Sequence, residues 1–301
     1  LKGETAMKYK TKPSRRVFMI FAYGLMIVIA IICIAPLWHV LMASVSNPTL
    51  ATNSKGLILW PLGNMDFKAY EIILGYARLW QGYGNTLLYI IGQCMVTGIS
   101  TVIAGYVFSR KRFFYRNTFM MIISFTMLFN GGMIPTYMVI RNIGLIDTPL
   151  AMIIPQALSV FNILIMRTSM QNISDALEEA ARIDGASDFK IMFKIILPLS
   201  KATFAVIMLF TIVMKWNDYM SALLYLPTKT DLYPLQMVLR SILITTSQDL
   251  TSASDLANSV SLYKKSVEYA VIVVSTLPIL CVYPFVQKYF VTGITIGAVK
   301  S

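Results

Sequence analysis

The chain has 301 residues, of which 56% are apolar and 13% charged, far from the roughly 45–50% apolar and about 25% charged of soluble domains. Its apolar residues come in blocks of about 20, the length a helix needs to cross a bilayer, which excludes an ordinary soluble enzyme and makes length a poor guide to domain count. The net charge of +12 does not point to nucleic acid, because the cations sit beside the apolar blocks, where they set orientation.

Residues 1–16 form a basic leader carrying Lys2, Lys8, Lys10, Lys12, Arg15 and Arg16; the chain opens on Leu1, with Met7 an alternative start. The first apolar block, 17–44, is too long for the core of a cleavable signal peptide and reads as span one, with room for tilt or a kink at Pro36. His39, near its outer end, is the single histidine and has no partner motif, so it reads as a packing or hydrogen-bonding residue. Residues 47–83 are mixed and polar, with a short helix expected near 67–79. Trp60, Tyr70, Trp80 and Tyr83 there fit an interfacial aromatic belt. Span two covers 85–108. Its Gly92, Gly98 and Gly105, set among Thr97, Ser100 and Thr101, let neighbouring helices approach closely. A short basic loop with Arg110, Lys111, Arg112 and Arg116 follows.

Span three, 118–140, is interrupted by Asn130-Gly131-Gly132 and Pro135. Such a break leaves backbone groups that lipid cannot satisfy, so it is either a packing kink or a break facing a wet path. After an outer loop at 141–148, span four runs over 149–166 with Pro155 and Asn162 inside it, and Arg167 marks its cytoplasmic end. Span five is expected over 198–226. Lys215, Trp216, Asn217, Asp218 and Tyr219 lie in or near its outer half. Either Lys215 snorkels to the interface, or this group helps line a path for a solute, with aromatic faces for its apolar side and polar tips for its polar groups. Lys215 and Asp218, three apart, can neutralise each other. A Lys215 facing the path would suit an acidic solute. Residues 227–265 read as a second outer segment, 266–287 as span six with Pro278 and Pro284, and 288–301 as a short tail. Cys33, Cys94 and Cys281 lie far apart inside apolar runs, as packed residues do, and point to no metal site or disulfide framework.

The expected fold is therefore all-α: a polytopic membrane protein with six transmembrane helices in one domain, 17–301. Six spans put both termini on one side. The short-loop basic clusters gather on that side, which makes it cytoplasmic. Between spans four and five, on the same side, lies a polar hairpin over 174–198. Ser174 or Asp175 can cap its first helix, and Asp175 with Glu178 has the spacing of a capping box. Ala176, Glu178, Glu179, Ala180, Ala181 and Arg182 favour helix. Gly185 can end it in a left-handed turn. Ser187 and Asp188 can cap a second helix, whose Phe189, Ile191, Met192, Phe193, Ile195 and Ile196 would pack under the bundle before Pro198 stops it and opens span five.

Glu179-Ala180-Ala181, Gly185, Ile195 and Leu197-Pro198 resemble, without departure in spacing, the EAA loop of the permeases of ABC importers, the binding-protein-dependent uptake systems. The six-span layout, the outer segment from Trp60-Pro61 to Tyr70, and Trp216-Asn217-Asp218-Tyr219 are similar to the carbohydrate-uptake branch, in particular to the smaller permease of its oligosaccharide and lipo- or aldouronate-type subgroup. The resemblance implies a coupling helix seated in a groove of an ATP-binding subunit. Glu179 and Asp184 would be its charged contacts, Ala180 and Ala181 would permit the close fit, and Gly185 would make the turn. It further implies two ATP-binding subunits, a second homologous permease, an extracytoplasmic solute-binding protein, an oligosaccharide substrate, and a place in a bacterial cytoplasmic membrane. The tentative substrate path comprises Lys215, Trp216, Asn217, Asp218, Tyr219, Asn130, Gly131 and Gly132. No Gly-x-x-x-x-Gly-Lys-Ser/Thr occurs, so magnesium and ATP would be held by the partner subunits and the chain itself would carry neither cofactor nor metal. A non-sugar solute, or a receptor or scaffold without transport, are the alternative readings. An intramembrane enzyme is disfavoured by spans nearly free of acids and by the single histidine.

Overall fold

The computed structural model describes residues 13–129, 131–248 and 263–281, and every regular element among them is helical. In chain order these are α1 (Pro13–Ser44), α2 (Pro48–Asn53), α3 (Lys68–Leu74), α4 (Ala77–Ser109), α5 (Arg116–Leu128), α6 (Met133–Asn142), α7 (Pro149–Ile153) and α8 (Val160–Gln171). There follow α9 (Asp175–Ile183), α10 (Asp188–Ile191), a π-helical turn (Met192–Ile196), α11 (Leu197–Leu199), α12 (Lys201–Trp216), α13 (Met220–Tyr225), a 3-10 turn (Thr230–Leu232) and α14 (Leu235–Gln248). A last helix, α15, covers 263–281. Lys2, Lys8, Lys10 and Lys12 of the leader, Asn130, residues 249–262 of the second outer segment, and 282–301 with Pro284 fall outside the described residues.

Among the described residues, α1 and α4 are long and apolar enough to cross a bilayer unbroken, and two bent pairs, α5 with α6 and α10–α11 with α12, raise the number to four if each is one span. The chain divides into two compact units, 1–72 with 253–273 and 73–252 with 274–301.

In the first unit α1 exposes apolar side chains around its whole circumference, from Val17 to Ile34. That is the pattern of a helix solvated by hydrocarbon rather than water. At its far end the chain folds back. Trp38 Nε1 donates to the Leu59 carbonyl at 2.9 Å, Ser46 Oγ accepts from Leu62 N–H at 2.9 Å, and Ala43, Ala51 and Ile58 close a small core. His39 Nδ1 accepts the Ile58 N–H at 2.9 Å, with its ring edge-on to Tyr269, so its role is the expected hydrogen bond.

The second unit is organised around α4, which begins at Ala77 rather than at 85. The helix expected near 67–79 stops at Leu74, and after Gly75 the chain re-enters helix. Gly82 sits where α14 crosses. A Cβ there would stand 3.2 Å from Leu235 Cα, so the missing side chain is what admits the neighbour. Gly105 plays the same part against α8, with an added Cβ 2.9 Å from Met166 Cγ and 3.3 Å from the Arg167 nitrogen.

Span four breaks between Ile153 and Val160, around Pro155, and continues past Arg167 to Gln171. The carbonyls freed by the break are met from α4: Gln93 Nε2 donates to Gln156 O at 3.2 Å and Thr97 Oγ1 to Ala157 O at 2.8 Å. Internal donors of this kind are what a break at membrane depth requires. Span five starts at Lys201, after an 83° bend, rather than at Pro198. Pro198 does not stop the preceding helix. The helix widens into the π turn, where Leu197 N–H reaches the Met192 carbonyl, and Ser200 N–H closes on Ile196 O beyond the proline. Pro198 has no N–H to give, so its own backbone bond is absent and the helix carries past it through the bonds of Leu197 and Ser200. At the other end, span five breaks after Trp216 and resumes as α13. The segment read only as an outer connection carries α14, 14 residues long, with Leu235, Met237, Val238 and Leu239 buried.

Candidate functional site

The hairpin is built as two short helices around a glycine turn. Ser174 is the cap of α9, its Oγ accepting from Ala176 N–H at 3.3 Å. The Asp175–Glu178 capping box is not formed, because with Ser174 at the cap Glu178 lies one position too far along and turns inward. Gly185 has φ +77, and the paired bonds Ala186 N–H to Ala181 O at 2.9 Å and Gly185 N–H to Arg182 O at 3.0 Å close the end of α9 in a Schellman turn. Ser187 Oγ accepts from Lys190 N–H to start α10. Beneath the hairpin, Ile191, Met192 and Ile196 pack with Val102, Tyr106, Met166, Met170 and Ile207 in one buried cluster, against which Ala181 is half-buried. Phe189 and Phe193, expected in that packing, are exposed.

Charge holds the hairpin to the body. Glu178, only 7% exposed, accepts from Arg182 Nη2 at 2.7 Å and from the Tyr106 hydroxyl at 3.2 Å, and faces Arg110 Nη1 at 3.4 Å. Arg182 also pairs with Asp188. The loop after α4 adds Lys111 to Asp175 at 3.0 Å and Arg112 to Asp188 at 3.7 Å. The hydrogen bond from Lys111 holds the Asp175 carboxyl below the usual carboxylate range, and the bond to Glu178 holds the Arg182 guanidinium above its own. An open cavity of about 560 Å³ lies between that loop and α9, lined by charged side chains of both.

The outward face is different in kind. Glu179, Ala180, Asp184 and Gly185 are exposed, and among the described residues neither Glu179 nor Asp184 makes an ion pair. Beside them Ile183 is 87% exposed and Phe189 69%. Of the five residues expected to couple, four are exposed and Ala181 is half-buried, and Glu179 also borders the cavity beside the loop after α4. Sequence reasoning missed Arg110, Glu178 and Asp188. The i, i+4 spacing of Glu178 and Arg182 was the available signal for one of these pairs.

The second set of expected residues lies at the break in span five. Lys215 is 3% exposed and its Nζ donates to Asp218 Oδ2 at 2.8 Å, while Asp218 Oδ1 accepts from Ser221 N–H at 3.0 Å and so opens α13. The lysine neither snorkels nor presents a free cation. Trp216 is buried, donating to Ser275 O at 3.1 Å and tilted against Tyr83. Asn217 is exposed with its amide on Val213 O, and Tyr219 is exposed with the Arg240 guanidinium over its ring at 5.7 Å. Gln156 Nε2 donates to Ser221 Oγ at 2.9 Å, which joins the breaks in spans four and five. Gly131 and Gly132 lie between α5 and α6, Gly132 with φ +87, and Thr136 bonds back to the Gly132 carbonyl at 2.8 Å. These glycines belong to the break in span three and the Lys215 group to the break in span five. Among the described residues no three His, Cys, Asp or Glu side chains gather as a metal ion would need.

The family model described as binding-protein-dependent transport system inner membrane component matches residues 96–296. The chain is 37% identical over 287 residues to the polygalacturonan/rhamnogalacturonan transport system permease protein YtcP of Bacillus subtilis (strain 168), covering 95% of this chain and 99% of that one. It is 38% identical over 233 residues to protein LplC of the same organism, covering 77% and 78%. Among solved structures, the crystal structure of a bacterial ABC transporter involved in the import of the acidic polysaccharide alginate matches with a TM-score of 0.84 at 33% identity, covering 94% of this chain and 99% of that chain.

Proposed function

The chain belongs to the family of binding-protein-dependent transport system inner membrane components, and from that membership we infer that the outward face of its hairpin is where an ATP-binding subunit docks. It is a permease subunit of an ABC importer for sugars or oligosaccharides, and not an enzyme. Importers of this family work with ATP-binding subunits, a solute-binding protein and a second permease. Our finer reading has two copies of the ATP-binding subunit holding ATP and magnesium, a homologous but non-identical second permease, and an extracytoplasmic binding protein. It places this chain in the membrane as a multi-pass protein with both termini cytoplasmic.

One observation supports the docking reading above the others: the inner face of the hairpin is fixed by ion pairs, while Glu179, Ala180, Ile183, Asp184 and Phe189 stand outward with charge and apolar surface left over. A small-residue site flanked by an acid and an isoleucine suits a groove that carries a cation and an apolar floor. ATP-driven closure of the partner subunits then moves this face, and the bundle alternates between outward and inward access. Glu179→Lys combined with Gly185→Pro reverses the charge and removes the turn. The ATP-binding subunit is expected to copurify with the wild-type chain and not with the double variant; equal recovery with both would sink the reading.

For the cargo we favour an acidic, uronate-bearing oligosaccharide. One of the similar proteins is named for the transport of polygalacturonan and rhamnogalacturonan, and another is involved in the import of the acidic polysaccharide alginate. Lys215 is neutralised by Asp218, so the cation that suits such a cargo is Arg240, which makes no ion pair among the described residues and lies on exposed Tyr219. Exposed Asn217 supplies an amide for hydroxyls. Arg240→Gln is expected to raise the KM for galacturonate oligosaccharides about tenfold while sparing neutral ones, the size of effect that one charge-assisted contact gives. Equal change for both classes would remove the arginine from the path.

A further inference from the structure

On the inner side of the hairpin a single side chain touches three elements. Arg110, directly after α4, is buried. Its Nη2 donates to the Met170 carbonyl in the last turn of α8, its Nη1 faces Asp175 at 3.6 Å and Glu178 at 3.4 Å on α9, and its guanidinium lies 5.5 Å from the centre of the Tyr106 ring on α4. The last carbonyls of a helix have no partner inside it, and a cation there is favourable. The same contact is made in reverse by Arg167 of α8, whose Nε donates to the Phe108 carbonyl near the end of α4 at 3.0 Å. With Gly105 bringing the two backbones together a turn earlier, α4 and α8 form one stiff pair at this end. Arg110 is the tie from that pair to α9. Glu178 carries the tie onward to Arg182, and Arg182 to Asp188 on the other arm of the hairpin.

Lys111 and Arg112 join the same surfaces, but their side chains are 78% and 73% exposed, so water and salt screen them. Arg110 acts out of water, where charges couple more strongly. Its planar fork serves Met170 with one nitrogen and the two acids with another, which a lysine cannot do.

We propose that Arg110 is the positioning residue that makes the hairpin and the α4–α8 pair move as one body, so that displacement of α9 turns α4 instead of bending the hairpin. The proposal rests on the reading of the outward face as the docking surface. Its test uses the full importer in proteoliposomes: this chain, the second permease, the ATP-binding subunits and the solute-binding protein, with galacturonate oligosaccharides as the probe. The readouts are the stimulation of ATP hydrolysis by loaded binding protein, the KM for that protein, and the yield of copurified ATP-binding subunit. Arg110→Gln is expected to keep the yield and the KM and to lose stimulation by about tenfold, within the range of coupling between distant sites. Arg110→Lys, with the charge but not the fork, should fall between the two. Wild-type stimulation in Arg110→Gln would overturn the proposal, as would a loss of stimulation that merely follows a loss of subunit yield. Should Arg110→Gln give no complex, Glu178→Gln, at the other end of the same tie, is judged by the same readouts. Failure of the docking reading itself shows differently, as equal recovery of the ATP-binding subunit with the wild-type chain and with Glu179→Lys combined with Gly185→Pro.

Discussion

Lys215 and Asp218 illustrate what burial does to a pair of charges. Both side chains are nine-tenths or more out of solvent, and the carboxylate also accepts from Ser221 N–H in the first turn of α13. Removing one partner leaves the other charge buried and alone, which costs about 3–5 kcal/mol, whereas removing both together is often nearly neutral. Lys215→Met is therefore expected to lower the thermal midpoint of the detergent-solubilised importer markedly, and Lys215→Met with Asp218→Asn to recover most of it. If the double variant is as unstable as the single one, the pair is not coupled as described. The consequence for function is that lost uptake in Lys215→Met alone says nothing about sugar contact. Asp147, half-buried, is a carboxylate satisfied without a cationic partner among the described residues. It accepts from Thr228 N–H, Thr228 Oγ1 and Lys229 N–H, and the Thr228 hydrogen bond holds its carboxyl below the usual range.

Among the elements, α4 and α8 depend on a glycine. Gly105→Val would place a branched side chain where even a single Cβ comes within 3.3 Å of the Arg167 backbone, so the helices must separate. Overpacking of this kind costs about 1–3 kcal/mol. Gly84, inside the same helix with open space around it, should accept alanine with a gain of about 0.4–1 kcal/mol. Thermal unfolding of the two variants side by side checks the contrast; equal midpoints would deny the close approach. Features that are local in the chain were legible beforehand. Uniform apolarity gave α1 and α4, and the serine, alanine and glycine signals gave the hairpin, its cap and its turn. The breaks at Pro155 and after Trp216 were not drawn, because what makes them tolerable comes from elsewhere: Gln93 and Thr97 on α4, and Ser221 on Gln156. The helix α14 was hidden for the same reason, since only its packing over Gly82 sets it apart from the polar stretch around it. Arg110 and Met170 are 60 positions apart, so no spacing rule connects them. The sequence placed Arg110 as a marker of orientation; in the fold it is also a structural tie.

For the whole molecule, the proposed docking face gives the chain a handle. The handle is the hairpin, rigid on its inner side through Glu178, Arg182 and Asp188 and open on its outer side. The helices it meets are broken where polar groups gather, at Gln156 and at Asn217 to Tyr219, and intact where the tie is made. Breaks where polar groups gather and stiffness at the hairpin suit the alternating access proposed for the bundle. The most direct test of this account is ATP-dependent uptake in proteoliposomes holding the complete importer, with galacturonate oligosaccharides and their binding protein on the side opposite ATP. Uptake is expected to require ATP and to be abolished when Glu179→Lys and Gly185→Pro uncouple the hairpin; uptake that persists in that variant, or that proceeds without the ATP-binding subunit, would contradict a hairpin-driven importer.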